Sequence, residues 1–330
     1  MHRHVGGAGI HGLGRYVPER VLTNADLERM VETSDEWIVT RSGIRERRIA
    51  AEGQTTTDLA LPAAVQAMER AGVTAQDLDL IVFCTNNPDT FIPAGACHLQ
   101  GKLGAARAGT FDLIAGCSGF IYGLAVAGQF AASRTYLTIL VVGADILSRL
   151  VDWTDRGTCV LFGDAAGAAV VRPAPDGRGI ISFRLGCEGS KRGEIVVPAG
   201  GASLPASHET IDRRLHYIKM NGRETFRFAV TAIDQVAREV LDAAGYSPED
   251  VTLMVPHQAN LRIIEAAAKR LSIPMERVMV NIDRYGNTSA ATVPVALYEA
   301  EEAGRLKRDD LVLLVGFGAG LTYAGMLIRW

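Results

Sequence analysis

The sequence predicts an α/β protein built from two similar halves. Apolar runs rich in Val, Ile and Leu alternate with amphipathic stretches, a pattern typical of buried strands and helices in mainly parallel sheets. The order of these elements recurs after residues 172–179, which contain two prolines and two glycines. The 48% hydrophobic content fits such a compact fold. We therefore expect two fused units, residues 1–174 and 175–330.

In the first half, apolar periodicity predicts strands that alternate with helices. Asn24 is a plausible N-cap for the first short helix. The predicted elements are an extended segment at 5–17, helices at 57–71 and 96–103, strands at 78–85, 111–115 and 136–145, and a glycine-interrupted hairpin at 159–173.

The second half repeats this order. Its predicted elements are an extended segment at 180–186, a glycine-rich loop at 188–205, helices at 225–244, 261–271 and 287–301, and strands at 250–256, 311–317 and 321–330. A pseudo-twofold arrangement would bring the equivalent helix starts at Cys117 and Asn287 to the interface between the halves. Because pockets favour such junctions, we expect a site there.

Residues 110–128 combine a strand pattern and a helix pattern around one cysteine. The run Phe111–Ala115 predicts a buried strand, and apolar residues return with helical spacing after Ser118. Cys117 therefore lies at a helix start, whose positive end favours the nucleophilic thiolate. Small neighbours allow a substrate carbonyl and main-chain N–H groups to approach the sulfur. The alternative is a core cysteine, since free cysteine is often buried.

Composition and charge exclude several classes of protein. The net charge of −3 gives no indication of nucleic-acid binding. Five cysteines without a CxxC pair fit neither a disulfide framework nor a zinc site, so we expect a reduced, intracellular protein without a metal. No apolar run reaches the roughly 18 residues of a membrane span, and residues 1–15 lack a signal-peptide core. The sequence thus predicts a soluble, cytoplasmic protein.

Three motifs in the second half offer partners for Cys117. His257 follows the strand predicted to end at Pro256, and Asn287 begins the helix equivalent to the Cys117 helix. The glycine-rich segment 316–320 can aim a backbone N–H at the site. Each motif has a structural alternative, namely a surface histidine, a plain N-cap and a tight hairpin. Their shared position at the junction of the halves favours one site.

Together these motifs resemble those of the β-ketoacyl-[acyl-carrier-protein] synthase III family. The resemblance rests on GCSGF at Cys117, PHQAN at His257, GNTSAA at Asn287, FGAG at Phe317 and WxxxRxGIxxR from Trp37. It covers essentially the whole chain. It implies the thiolase-like fold, with a duplicated five-layer αβαβα architecture, and a homodimer.

The resemblance also implies the first condensation of type II fatty acid synthesis. Cys117 would take the acyl group of an acyl-CoA, and malonyl-acyl-carrier protein would lose carbon dioxide and attack the acyl-cysteine, giving a 3-oxoacyl-carrier protein. His257 and Asn287 would donate hydrogen bonds to the developing enolate, and the N–H groups of Cys117 and Ala319 would form the oxyanion hole. Coenzyme A enters as substrate, so no cofactor is expected.

The coenzyme A site is implied by the segment around Trp37. Trp37 and Arg156 match residues that sandwich the adenine, and Arg41 lies where a basic residue meets the phosphates. From the residues alone, the alternative is a solvated charged turn over one buried tryptophan.

The resemblance also implies roles for further residues. Phe317 matches an aromatic residue beside the carboxylate that is lost. Ile92 matches the position that lines the acyl pocket of the partner subunit, where an isoleucine suggests a longer or branched starter. A basic patch of Arg262, Arg227 and Lys269 would dock the acidic carrier protein.

Two departures and several alternatives stay open. Gly116 stands where the family usually has alanine, and the loop 188–207 does not align clearly, so the starter acyl group is undetermined. The main alternative is a secondary-metabolism ketosynthase or acyltransferase of the same fold. A true thiolase is less favoured, since Asn287 is predicted at a helix start and no second cysteine lies in the last 140 residues. HMG-CoA synthase resembles this chain less, and a catalytically silent subunit is disfavoured because the cysteine, histidine and asparagine are all present. A cysteine hydrolase is a further alternative.

Overall fold

A computed structural model describes residues 7–175 and 177–330. Val5 and Gly6 of the predicted first segment, and Asp176 of the candidate boundary, lie outside the described residues. The first half contains β1 (Ala8–Tyr16), β2 (Arg20–Thr23), α1 (Asn24–Glu28), α2 (Asp35–Ser42), β3 (Glu46–Ile49), α3 (Thr56–Ala71), β4 (Leu80–Cys84), α4 (Gly95–Leu103), β5 (Gly109–Leu113), α5 (Gly119–Ala132), β6 (Ile139–Ile146), α6 (Arg156–Cys159) and β7 (Asp164–Pro173).

The second half follows the same plan. It contains β8 (Gly179–Cys187), β9 (Ile195–Val196), α7 (His208–Asp212), β10 (Lys219–Met220), α8 (Gly222–Ala244), β11 (Leu253–Pro256), α9 (Leu261–Leu271), α10 (Ile282–Tyr285), α11 (Thr292–Glu302), β12 (Leu311–Gly318) and β13 (Thr322–Arg329). Within the described ranges, no helix is long and apolar enough to cross a membrane.

Two sheets have matching strand orders. The first is β1-β7-β6-β4-β5 and the second is β8-β13-β12-β11, so that β8, β13, β12 and β11 take the places of β1, β7, β6 and β4. The pair β4–β6 of the first sheet and the matching pair β11–β12 of the second are parallel, and the other matched pairs are antiparallel. In the second sheet, a parallel bridge between Met254 and Val278 takes the place of the β4–β5 pair of the first sheet.

The sheets and helices form five layers. Helices α3 and α4 cover the outer face of the first sheet, and α8 and α9 cover the outer face of the second. Helices α5 and α11 lie between the sheets, where their buried residues form one core with both. The αβαβα architecture is confirmed, and it places the segments that lead into α5 and α11 side by side.

Four local predictions are wrong. The strand before Cys117 ends at Leu113 and is half-buried, because β5 is the outer strand of its sheet. No hairpin forms at 159–173; a short helix capped by Asp155 leads into the single strand β7. The N-cap of α1 is Thr23, whose hydroxyl accepts from the Asp26 N–H.

The fourth correction concerns Asn287. Helix α11 begins only at Thr292, after a short 3₁₀ turn at Ser289–Ala291. Asn287 therefore lies ahead of the helix rather than at its start, and its side chain does not act as the N-cap of α11.

Candidate active site

Cys117 lies on a sharp turn between β5 and α5. Gly116 has a φ of +58°, and a Cβ atom there would come within 2.5 Å of the Ala319 nitrogen. Both the left-handed conformation and this close approach favour glycine. The Ser118 hydroxyl donates to the Ala115 carbonyl oxygen at 2.7 Å and fixes the turn. The cysteine thus precedes the helix, as the sequence predicts.

The environment of the Cys117 thiol opposes the thiolate that a helix start is expected to favour. Burial raises the pKa of Cys117 to about 12, a hydrogen bond from Ser289 lowers this pKa, and the charge of Asp145 raises it. Loss of solvent contact disfavours the charged thiolate and so opposes the effect expected of the helix start. The resting group is therefore a thiol at neutral pH, and its proton must leave when the sulfur attacks.

Two cavities meet at Cys117. The smaller, of about 100 Å³, is mainly apolar and is bounded on its outer side by the segments around β9 and β10; its lining includes Leu147, Leu150, Phe162, Ile195, Val197 and Ile218. The larger, of about 200 Å³, holds the predicted partner residues His257, Asn287 and Phe317 and extends to Gly157 and Asn260. The segment 188–207, whose alignment is unclear, thus forms part of the wall of the smaller cavity.

His257 is buried directly after β11. Its backbone N–H donates to the Val315 carbonyl oxygen at 2.8 Å, which extends the pairing of β11 with β12 by one residue. The imidazole is 1% exposed and meets the Phe317 ring edge-to-face, with 5.4 Å between the ring centres. Burial lowers the pKa of His257 to about 3, so the ring is neutral at pH 7.

The hydrogen bonds around His257 fix its tautomer. The Thr292 hydroxyl donates to the Ser289 carbonyl oxygen at 3.0 Å, and Nδ1 of His257 lies 2.7 Å from the same hydroxyl oxygen. Since the single hydroxyl proton is used, Nδ1 must carry a proton and donate it. Nε2 then presents a lone pair, and it has no partner among the described residues.

Asn287 is positioned by its own turn. Its backbone N–H donates to the Leu161 carbonyl oxygen at 2.8 Å, and its Oδ1 accepts from the Ser289 N–H at 2.9 Å. Because Oδ1 is occupied, the two hydrogens of Nδ2 remain for the cavity that Asn287 lines. The side chain thus offers a donor that does not titrate.

A second turn packs closely against the turn that carries Cys117. The turn after β12 packs against the Cys117 turn so closely that a Cβ on Gly318 would collide with the Cys117 nitrogen. Ala319, the next residue, lines the smaller cavity together with Cys117. The backbone nitrogens of Cys117 and Ala319 therefore lie on two turns that are in close contact.

The three residues matched to coenzyme A lie together. The Arg156 guanidinium carbon is 4.9 Å from the centre of the Trp37 ring, and that of Arg41 is 5.9 Å from it. Asn260 donates to the Arg41 carbonyl oxygen at 2.9 Å and also lines the larger cavity, which connects this surface with Cys117. A flat base would have to separate Arg156 from Trp37 to stack between them.

One residue of the predicted basic patch contacts the lining of the larger cavity. Arg262, at the start of α9, is exposed and lies 5.6 Å over the ring of Phe226, which lines the larger cavity. Lys269 is exposed two turns further along α9, and Arg227 is exposed on α8, where it pairs with Glu224 at 3.0 Å. The patch is thus partly neutralised.

Ile92 lies away from both cavities of its own chain. It is 91% exposed, and neighbouring Phe91 is 81% exposed. A contact of Ile92 with an acyl chain would therefore have to involve another protomer.

Sequence reasoning missed several residues around the sulfur. Asp145 is an acid at the end of the apolar strand β6, and that contrast is a usable signal. Thr292 and Ser289 belong to the Asn287 motif but were assigned no role. In the described ranges, no group of three or more His, Cys, Asp or Glu side chains is placed to hold a metal ion.

Comparisons with known proteins agree on one family. Residues 111–189 match 3-oxoacyl-[acyl-carrier-protein] synthase III, and residues 241–330 match its C-terminal region. A β-ketoacyl-[acyl-carrier-protein] synthase III of Symbiobacterium thermophilum is 55% identical over 322 residues, covering 98% of both chains.

Solved structures show the same similarity. The 3-oxoacyl-[acyl-carrier-protein] synthase III of Aquifex aeolicus has a TM-score of 0.91 and 48% identity, over 98% of this chain and all of the other. The priming β-ketosynthase of the R1128 polyketide pathway has the same TM-score of 0.91 but 34% identity, over 98% of this chain and 96% of its own.

Proposed function

The chain belongs to the 3-oxoacyl-[acyl-carrier-protein] synthase III family, and from that premise we propose that Cys117, His257 and Asn287 carry out its reaction. Members are thiolase-fold condensing enzymes of the acyltransferase type that initiate fatty acid synthesis, and this chain is one of them. The observation that carries the residue assignment is the cavity that Cys117 shares with the side chains of His257 and Asn287.

In the first half-reaction, Cys117 forms a bond to the thioester carbon of acyl-CoA. The thiol proton passes to the free lone pair of His257 Nε2 and then to the departing coenzyme A sulfur. The tetrahedral oxyanion accepts hydrogen bonds from the N–H groups of Cys117 and Ala319. In this step His257 acts as a proton acceptor, a role its tautomer suits.

In the second half-reaction, the malonyl group loses carbon dioxide. The electron pair left behind forms an enolate, whose oxygen accepts a hydrogen bond from Asn287 Nδ2. The second hydrogen bond proposed from His257 requires that Nε2 take up a proton, against the low pKa that burial gives the ring. Phe317 presents an apolar surface where the carboxylate lies, which favours its loss as neutral carbon dioxide. Attack on the acyl-cysteine then releases Cys117 as thiolate.

Acyl-CoA and malonyl-acyl-carrier protein are the substrates that this family implies. We propose that Trp37, Arg41 and Arg156 bind the coenzyme A nucleotide and that Arg262, Arg227 and Lys269 dock the carrier protein. Support comes from the contacts of Arg41 and Arg156 with Trp37, and from the contact of Arg262 with Phe226, which lines the larger cavity.

We propose a homodimer through the free edge of β5. In the described chain β5 pairs only with β4, and Ile114 directly after it is 68% exposed. Exposed Phe91 and Ile92 lie in the loop that leads into α4. The Asp112 carboxylate on β5 accepts hydrogen bonds from the first two N–H groups of α4, so the end of this loop is held next to β5. An open strand edge flanked by large apolar side chains is typical of an interface. Ile92 would then reach the partner's acyl pocket.

The matching sheets support a proposed division into residues 1–174 and 175–330. The first would carry the nucleophile and the second His257 and Asn287. A cytoplasmic location and the absence of a cofactor stay predictions.

Intact-protein mass spectrometry tests the function. We expect one acyl mass on Cys117 after incubation with acyl-CoA, and its loss as a 3-oxoacyl product only when malonyl-acyl-carrier protein is added. Peptide mapping is required, because Cys97 and Cys187 are exposed thiols. Transfer to another acceptor would favour the secondary-metabolism alternative, whose solved relative is less similar; release to water would indicate a hydrolase.

A further inference from the structure

Arg47 is a wholly buried arginine that has no part in the proposed condensation. It lies on β3 and is 0% exposed. Its Nη1 donates to Asn24 Oδ1 at 2.9 Å and to the Leu22 carbonyl oxygen at 3.1 Å. Its Nη2 donates to the carbonyl oxygen of Val160, the C-cap residue of α6, at 2.7 Å. The guanidinium thus joins the end of α6 to the start of α1.

Asn24 extends this contact to α2. A guanidinium can only donate, so the oxygen of the Asn24 amide must face Arg47. The amide nitrogen, Nδ2, donates to Asp35 Oδ1 at 2.8 Å and to the Ile44 carbonyl oxygen at 2.8 Å. Asp35 is the first residue of α2, and Ile44 directly follows the C-cap residue Gly43. One buried amide therefore contacts both ends of α2.

The path through Arg47 and Asn24 connects the two helices that carry the proposed adenine ligands. Trp37 lies on α2 and Arg156 on α6. The direct contacts across this site use the Arg156 side chain, whose guanidinium lies over the Trp37 ring and donates to the Glu32 carbonyl oxygen at 2.9 Å. That side chain has to move when a base enters, whereas the buried path does not include it. The path can therefore hold the two helices while Arg156 moves.

The buried charge of Arg47 indicates a role in position rather than in stability. Its three acceptors are neutral oxygens. Burial lowers the pKa of Arg47 to about 10, so the side chain stays charged at pH 7. Burying such a charge costs free energy, and apolar residues of similar volume are often at least as stabilising. Hydrogen bonds, however, depend on distance and angle, so they fix the register of α2 and α6 as the apolar packing around Ile38 and Cys159 does not.

We propose that Arg47 and Asn24 are positioning residues that set the spacing of α2 and α6, so that Trp37 and Arg156 can bind the adenine base of coenzyme A between them. The inference rests on the proposed role of these two residues in nucleotide binding. Asn24 is 1% exposed and Arg47 is fully buried, so neither positioning residue touches the substrate itself. Both should therefore affect only thioesters that carry the nucleotide.

Acylation of Cys117 by two thioesters with the same acyl group tests this proposal. Butyryl-CoA carries the nucleotide, whereas S-butyryl-N-acetylcysteamine ends shortly after the thioester. Asn24→Ala removes the contact between Arg47 and α2. We expect the half-saturating concentration of butyryl-CoA to rise roughly tenfold, the scale of losing one or two hydrogen bonds. The rate constant for S-butyryl-N-acetylcysteamine, read at the Cys117 peptide by mass spectrometry, should stay at the wild-type value. Arg47→Met should shift butyryl-CoA saturation in the same direction.

Arg305→Met provides the matched control. Like Arg47, Arg305 donates to backbone carbonyl oxygens, those of Glu276 at 2.6 Å and Val278 at 3.3 Å, and these belong to neither α2 nor α6. This variant should match the wild type with both thioesters. Trp37→Ala tests the proposed nucleotide site itself and should raise the half-saturating concentration of butyryl-CoA alone.

Two results would overturn the inference. One is wild-type saturation by butyryl-CoA in Asn24→Ala and Arg47→Met. The other is an equal loss with both thioesters, which would indicate general disruption of the fold. If one of these variants does not fold, the other decides. Wild-type saturation in Trp37→Ala would instead refute the proposed nucleotide site, whereas a rise in Trp37→Ala without one in Asn24→Ala refutes only the positioning role.

Discussion

His257 Nδ1 lies 2.7 Å from the Thr292 hydroxyl oxygen, and the same hydroxyl donates to the Ser289 carbonyl oxygen. One threonine thus sets the tautomer of the histidine and links it to the turn that orients Asn287. The free lone pair at Nε2 follows from this contact, so the ability of His257 to take the thiol proton depends on a residue outside the cavity lining.

Thr292→Val should slow acylation of Cys117. The valine offers no acceptor to Nδ1, so the ring loses its preference for the proton on that atom. A buried polar group without a partner costs about 1–3 kcal/mol, which corresponds to a rate loss of roughly tenfold to a hundredfold. Rapid-quench measurement of acyl-enzyme formation gives the rate. Thr292→Ser keeps the hydroxyl and should stay close to wild type; an equal loss in both variants contradicts the tautomer argument.

The stability of the protein should depend on pH through His257. Its pKa is about 3 in the folded chain and 6.5 in the reference state. Between these values the unfolded chain binds a proton that the folded chain does not, so stability falls as pH falls through 6.5. From pH 6.5 to 4.5 this group removes about 2 kcal/mol from the free energy of unfolding.

Urea unfolding of wild type and His257→Gln at several pH values measures this dependence. Glutamine does not titrate, so the difference in unfolding free energy between the variants should change by that amount over the interval. Parallel pH profiles would show that His257 is not the buried neutral group described here.

Asn287→Ala should separate the two half-reactions. Loss of the donor to the enolate costs about 3 kcal/mol, so condensation with malonyl-acyl-carrier protein should fall at least a hundredfold. Acylation by acyl-CoA, which does not form the enolate, should fall by far less. Asn287→Asp keeps the acceptor for the Ser289 N–H and should lose condensation as well, which excludes a collapsed turn as the cause. Equal losses in both half-reactions would refute the assignment.

Arg262→Glu should weaken the docking of the carrier protein. Arg262 is exposed and lies over Phe226, which lines the larger cavity, and a charge reversal there repels an acidic partner. We expect a higher KM for malonyl-acyl-carrier protein and unchanged acylation by acyl-CoA. Arg308→Glu, at a side chain that is 78% exposed, is the control for net charge. A similar rise in KM for both variants would point to a general charge effect.

Much of this arrangement could be predicted from the sequence, because apolar periodicity follows burial. Helix α9 was predicted at its observed bounds, and the alternation of elements led to the layered fold. Asp145 and Thr292 were missed for a physical reason. Their roles depend on contacts with residues 60 or 35 positions away in the chain, which no local pattern records.

Burial explains why the Cys117 thiol differs from the thiolate that the sequence led us to expect. The helix start near Cys117 is a local feature and favours a thiolate, but the pKa depends on how much solvent the whole fold removes. Likewise, the glycines that led to the prediction of a hairpin at 159–173 permit close packing instead, since a Cβ on Gly167 would overlap Pro294 of α11.

The small cavity beside Cys117 should limit the starter acyl group. Its volume is about 100 Å³, and Ile218 on its wall is 6% exposed. Since one water occupies about 30 Å³, we expect room for roughly three carbons beyond the thioester carbonyl. Ile218→Ala should raise the ratio of hexanoyl-CoA to butyryl-CoA acylation rates roughly tenfold, because two further methylenes are buried at about 0.8 kcal/mol each. Ile211→Ala, at a 49% exposed position outside the lining, should leave the ratio unchanged. The same ratio in Ile218→Ala and wild type would mean that another surface, such as Ile92 of a second protomer, sets the chain length.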